Sequence, residues 1–260
     1  MRRATLTFVA LMLVLVLVPA PAGAGTTRPP LGLAVTPARV ALAGTGKASV
    51  RITNPGVGAV VVDVARAGFS LDLRGRPHVV ARPGLRAATP WLTVRPGRFV
   101  LPAGATRWLT VASRLPRHVE PGDHDALVLL TTRPWRSAGV AVRMRIGVVV
   151  VVRAPGRIVR SVAIRGLRVL RAGRARTLEL VLANRGNVTE TIDAARVRVL
   201  LVRKGARSSV RAETRELRPR TNGVVQLRYR GRLAGWVTAR VRLTLEPGRL
   251  VLSRTFRVKL

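Results

Sequence analysis

"VRITNPGVGAVVVDV", residues 50–64, reads as an apolar strand, an Asn-Pro-Gly turn and a second apolar strand. The chain repeats the pattern at 180–194 as "LVLANRGNVTETIDA": a strand, an Asn (Asn54, Asn184), a Gly two residues on (Gly56, Gly186) and a further strand. Asn and Gly suit such a turn, because Asn bonds nearby backbone and Gly tolerates positive φ. A second pair follows in the same order. "LPAGATRWLTV" (101–111) leads to "PGDHDALVLL" (121–130), and "LRPRTNGVVQLRY" (217–229) leads to "AGWVTARVRL" (234–243), with Gly122 and Gly235 before the closing strands. Repeats in the same order predict two tandem copies of one module.

The intervening sequence is strand-like throughout, with alternating apolar runs such as "ASVRITN" (48–54), "RWLTVAS" (107–113) and "ARVRLTL" (239–245) separated by Gly, Pro and Asn. In the last run Val241, Leu243 and Leu245 share one face while Arg240, Arg242 and Thr244 share the other, the pattern of a half-buried antiparallel strand. The expected fold is all-β, two tandem sandwich-type modules. The break falls at Ala154-Pro155-Gly156, giving domains of 32–155 and 156–260.

The N-terminus reads as a signal peptide, residues 1–24: basic Arg2 and Arg3, an apolar run from Phe8 to Val18, and a small-residue cleavage site at Ala22-Gly23-Ala24. Residues 25–31 form a linker. The apolar run is shorter than a membrane span, so the expected product is exported, to the periplasm, envelope or outside, with no transmembrane span in the mature chain. There is no cysteine, so packing alone must hold the domains.

Net charge is +36, and of the 47 basic residues only Lys47, Lys204 and Lys259 are lysine. Such a surface attracts polyanions. Nucleic acid is disfavoured, because the chain reads as exported, has 3% aromatic residues and carries no nucleic-acid motif. An enzyme is disfavoured too: three histidines and 11 acidic residues form no paired catalytic arrangement, and no cofactor is implied. "AGTGKAS" (43–49) lacks the first Gly and the hydroxyl of a phosphate loop and reads as a hairpin turn. In "HVEPGDHD" (118–125), His118, Asp123 and Asp125 are candidate cation ligands, but their spacing fits no metal loop. The segment is expected to be a solvated loop offsetting nearby arginine, without a metal. Asn187-Val188-Thr189 is a glycosylation triplet that the repeated turn already accounts for. Trp91, Trp108 and Trp236 read as core or rim residues, and Trp135 as the exposed aromatic.

"RMRIGVVVVVRAPG" (143–156) raises the functional question. Its even positions, Met144 to Val152, make one apolar row for the core. The odd row runs Arg143, Arg145, Gly147, Val149, Val151, Arg153: basic at the ends, apolar in the middle. Either the second domain covers Val149 and Val151, or another polypeptide does.

Several segments resemble the periplasmic chaperones of pilus assembly and the wider two-domain immunoglobulin-like envelope proteins. "TPARVALAG" (36–44) looks like the family's first strand, "VRITNPG" (50–56) like its second, "WLTVRPGRFVLPAGATRWLTV" (91–111) like its central segment, and residues 142–156 like the long last strand of its first domain. The modules are also similar to domains of WxL-associated surface proteins. The chaperone resemblance implies two tandem seven-stranded immunoglobulin-like β-sandwiches and a binding protein that pairs its last strand with a secreted or surface subunit. It also implies that Arg39 and Arg145 anchor that subunit's terminal carboxylate, with Arg143, Val149, Val151 and Arg153 along the same strand. The alternative is a structural or adhesive envelope protein that holds anionic cell-wall polymers on arginine-rich strand faces.

Overall fold

A computed structural model describes residues 32–260 except 81, 85, 134, 138–139, 174 and 246–249. The signal segment, the linker before residue 32 and the Trp135 side chain lie outside the described residues. The first half contains β1 (Ala34–Thr36), β2 (Arg39–Ala43), β3 (Gly46–Thr53), β4 (Val60–Leu71), β5 (Pro77–Val80), β6 (Leu92–Arg95), β7 (Arg98–Leu101), β8 (Thr106–Ser113), β9 (Gly122–Thr132), β10 (Trp135–Ser137), β11 (Val140–Val142) and β12 (Arg145–Ala154). The second contains β13 (Val162–Ala172), β14 (Ala175–Asn184), β15 (Glu190–Ile192), β16 (Val197–Arg203), β17 (Ala206–Arg211), β18 (Arg215–Leu217), β19 (Asn222–Tyr229), β20 (Trp236–Leu245) and β21 (Leu250–Lys259).

Each half is an immunoglobulin-like sandwich. In the first, sheet β1-β3-β8-β6 packs on sheet β2-β12-β9-β4, which β5 and β7 extend. In the second, β13-β14-β19 packs on β17-β16-β20-β21. Two cores result, because strand alternation sends one residue in two inward. One includes Ile52, Leu92, Leu109, Leu130 and Val150; the other includes Leu180, Ile192, Leu201, Leu227 and Leu243.

The repeated asparagines are the buried rivets of these sandwiches. Asn54 is fully buried; its Nδ2 donates to the carbonyls of Gly58 (2.7 Å), Leu101 (3.0 Å) and Pro102 (3.2 Å), and its Oδ1 accepts from Gly56 N–H (2.9 Å). Asn184 does the same: Nδ2 donates to Val188 (2.8 Å) and Leu217 (2.9 Å), and Oδ1 accepts from Gly186 N–H (2.9 Å). In both halves the Asn of the first repeated segment thus reaches the Leu that opens the second, Leu101 or Leu217. A carboxamide suits so enclosed a position because its NH2 can donate to two or more carbonyls while its oxygen accepts.

Two local expectations are corrected. The turn at 43–49 is not a hairpin: β2 belongs to one sheet and β3 to the other, so the chain crosses between layers there. Gly44, with φ of 60°, makes the crossing, its N–H bonded to Arg153 O (2.8 Å). Nor is 118–125 a solvated loop throughout. Asp123, His124 and Asp125 are buried within β9. His124 bonds the carbonyls of Arg86 (2.9 Å) and Glu120 (2.7 Å) and packs on Trp91 with ring centroids 4.5 Å apart.

Candidate functional site

β12 pairs with β9 along its whole length, from Arg145↔Thr131 to Ala154↔Gly122. On its other side β2 lies parallel to it, but only from Val149↔Arg39 to Arg153↔Ala43. Among the described residues no strand lies beside Arg145–Val148 on that side. The backbone there is oriented for pairing. Val149 N–H donates to Ala38 O across the β2 side (3.0 Å), whereas Met144 exchanges bonds with Thr132 across the β9 side (both 2.9 Å). With a period of two, Arg145 and Gly147 present N–H and C=O to the open lane. At Gly147 an added Cβ would lie 2.9 Å from a Leu127 methyl, so glycine lets the strand pass under that side chain.

The odd row of β12 lies on a second apolar surface of its sheet. Val149 packs with Phe69, Leu127 and Leu129, while Ala67 and Leu71 flank them. Val151 is 5% exposed. Both valines line a cavity of about 260 Å³ whose other walls include Arg39, Phe69, Gly75 and Asp125 from the first domain and Arg215, Glu216 and Arg218 from the second. The open question about the two valines is answered: the second domain stands over them.

That domain is held in place by charge. Arg39 pairs with Glu216. Arg74 Nε lies 2.8 Å from Glu179 Oε1, and Arg220 reaches Glu120 (2.8 Å). Arg218 bonds Asp125, donates to Phe69 O (3.0 Å) and stacks on the Phe69 ring at 4.3 Å. Arg153 forks onto Asp123 (2.7 and 3.0 Å), which also accepts from Thr189 N–H (2.8 Å). Burial pushes the Asp123 carboxyl up, but the Arg153 and Thr189 bonds outweigh it and hold the group below the usual carboxylate range. Asp125, also buried, is held above that range by desolvation despite Arg218. Asn187 joins the halves: Nδ2 donates to Pro121 O and Arg157 O (both 2.9 Å), and Oδ1 accepts from Val159 N–H (2.7 Å).

The anticipated site residues thus divide. Arg143 and Arg145 are exposed at the open lane. Arg39, Val149 and Val151 gather at the cavity, Arg39 with an internal partner. Arg153 is committed to Asp123, beyond the lane. Of the cation candidates, Asp123 and Asp125 face arginines, His118 is exposed, and no group of three His, Asp or Glu able to hold a metal is found among the described residues. The cavity residue that sequence reasoning missed is Arg215. Its buried Nε has no partner, and its nearest hydrogen bond is a long one to Asp72 O (3.5 Å). Burial pulls its guanidinium below the ordinary value. Gly75 makes room for it: an added Cβ would overlap the guanidinium at 1.3 Å.

No protein-family model matches the chain, and no curated protein matches it. Among solved structures the chain is similar to the Class 5 fimbriae chaperone CfaA, at 12% identity over 86% of this chain and 98% of that one, with a TM-score of 0.48. It is also similar to the E. coli chaperone DraB (14%, 88% and 97%, TM-score 0.43) and to a Salmonella enterica complex of SafA pilin with the SafB chaperone (13%, 88% and 96%, TM-score 0.45). Likeness at this distance carries no function.

Proposed function

We propose that this chain is an exported, non-enzymatic binding protein that captures an extended segment of another exported protein as a strand beside Arg145–Val148. The observation that supports this reading is the half-filled lane: β2 occupies one half of the β12 edge, and the other half is long enough for main-chain pairing. An open edge in an exported protein invites pairing, and the backbone bonds supply affinity without demanding a particular sequence. A strand in that lane runs in line with β2 and ends close to Arg39. A terminal carboxylate there meets Arg215, which has no carboxylate partner, and competes with Glu216 for Arg39; a guanidinium holds such a group through two bonds.

The test is photocrosslinking in the intact envelope. A photoreactive side chain at position 145 should yield one discrete protein adduct, and the same group at exposed Trp108 should not. Arg145→Pro removes an edge N–H at the first residue of the strand, where proline is tolerated, and should reduce capture at a neighbouring probe at 143 by about tenfold. Equal adducts at 145 and 108, or capture at 143 indifferent to Arg145→Pro, would refute the reading.

A further inference from the structure

The outer face of the second domain's four-stranded sheet is a lattice of cations. Register places Arg211, Arg198 and Arg242 side by side across β17, β16 and β20, with Ser253 next on β21. The next row is Ser209, Leu200, Arg240 and Thr255, and the one after it Arg207, Val202, Thr238 and Arg257. Strands are about 4.8 Å apart, so three guanidinium stems rise from adjacent strands in one line. Like charges directly opposite one another destabilise a sheet. No carboxylate relieves them: among the described residues the ion pairs of this protein lie elsewhere, and Arg198, Arg207, Arg211, Arg240 and Arg242 take part in none. The face is recessed as an open trough of about 1020 Å³ containing Arg198, Arg211, Arg240 and Arg242 together with Ser209, Ser253 and Thr255.

Coding preference for arginine does not account for this placement. The outward face of the first domain's sheet β1-β3-β8-β6 carries only Lys47, Arg51 and Arg95, and no two of them are cross-strand neighbours. We infer that the trough on β17-β16-β20-β21 binds a linear phosphodiester polymer with a polyol or sugar repeat. Guanidinium forks and hydroxyls are the donor set for the non-bridging oxygens of phosphate. The half-buried Leu200 and Val202 between the cations offer apolar contact to the carbon backbone of a repeat unit. Nucleobases find no stacking platform in the trough, since Trp236 sits at its far corner beneath Arg257, 5.2 Å from the ring centroid. A flat lipid surface fits a recessed face poorly. The inference is independent of the strand-edge reading: no residue of the lane beside β12 enters it.

The test is a binding titration of the full chain with poly(glycerol phosphate) across a range of salt. The variant Arg198→Ser/Arg211→Ser/Arg242→Ser should bind about tenfold more weakly and lower the slope of log affinity against log salt by about two to three, the value for three lost phosphate contacts. The control Lys47→Ser/Arg51→Ser/Arg95→Ser removes the same charge and should change affinity less than about twofold, and both variants should retain capture by a probe at 145. Equal losses in the two variants would overturn the proposal in favour of diffuse charge. Equal or tighter binding of polyglutamate, of single-stranded DNA or of anionic phospholipid vesicles would overturn the assignment to a polyol-phosphate chain.

Discussion

Asn187→Ala tests how the two halves are joined. Its carboxamide makes three bonds, to Pro121 O, Arg157 O and Val159 N–H, all at 2.9 Å or less. At about 1 kcal/mol net for each, the substitution costs about 3 kcal/mol. For a chain of this size that lowers the melting temperature by roughly 6–12 °C. Two of the bonds hold the exposed connection around Arg157, so its local opening becomes easier by about 2 kcal/mol, or about 30-fold in population. Trypsin under native conditions reads this directly: cleavage after Arg157, followed by mass spectrometry, should accelerate by about that factor. Asn187→Asp refines the test. It keeps the acceptor for Val159 but turns an oxygen onto two carbonyl oxygens, so it should cost at least as much as alanine. Unchanged melting and unchanged cleavage after Arg157 in the alanine variant would show that the junction does not depend on this side chain.

Asn54→Ala and Asn184→Ala should each destabilise by about 2–4 kcal/mol, measured by denaturant unfolding, because each removes several buried hydrogen bonds at once. A loss in only one half would break the equivalence of the two rivets. Asp123 has a folded-state pKa below its unfolded value, so its contribution to stability is present above about pH 4 and is lost as pH falls through the lower folded value. Asp123→Asn should therefore flatten the acid side of the stability profile followed by circular dichroism, and an unaltered profile would contradict the assignment. Replacing Arg198, Arg211 and Arg242 together by serine should raise the melting temperature in low salt by relieving cross-strand repulsion, and the gain should fade in concentrated salt. A salt-independent change would mean that the arginines act by packing.

The two asparagines were legible from sequence as repeated turn residues, marked by their spacing to Gly56 and Gly186, but their burial and their bonds to Leu101 and Leu217 depend on strands that only the fold brings near. The two-sided character of β12 was equally legible from parity. The division of its edge was not. "TPARVALAG" reads as a strand, but nothing in its alternation reveals that the chain changes sheets before Arg39 and occupies half of the lane. Asp123 and Asp125 were misjudged because their burial is created by the docking of Arg218 and Thr189, residues at least 64 positions away. Arg215 carried no signal, being one arginine among dozens. The outward arginines of β20 were visible from alternation, but their union with Arg198 and Arg211 depends on register, which a single sequence does not encode.

The acidic residues are few, and their position governs how the molecule behaves in company. Glu120, Asp123, Asp125, Glu179 and Glu216 all touch the opposite half of the chain, five of its 11 carboxylates at one seam. Each half alone is a polycation, and the seam supplies the counterions that let two such bodies lie together. Engaged at the seam, those charges leave the rest of the surface overwhelmingly positive. Two copies therefore repel one another at low ionic strength, and an anionic chain of the kind proposed for the trough would offset that repulsion.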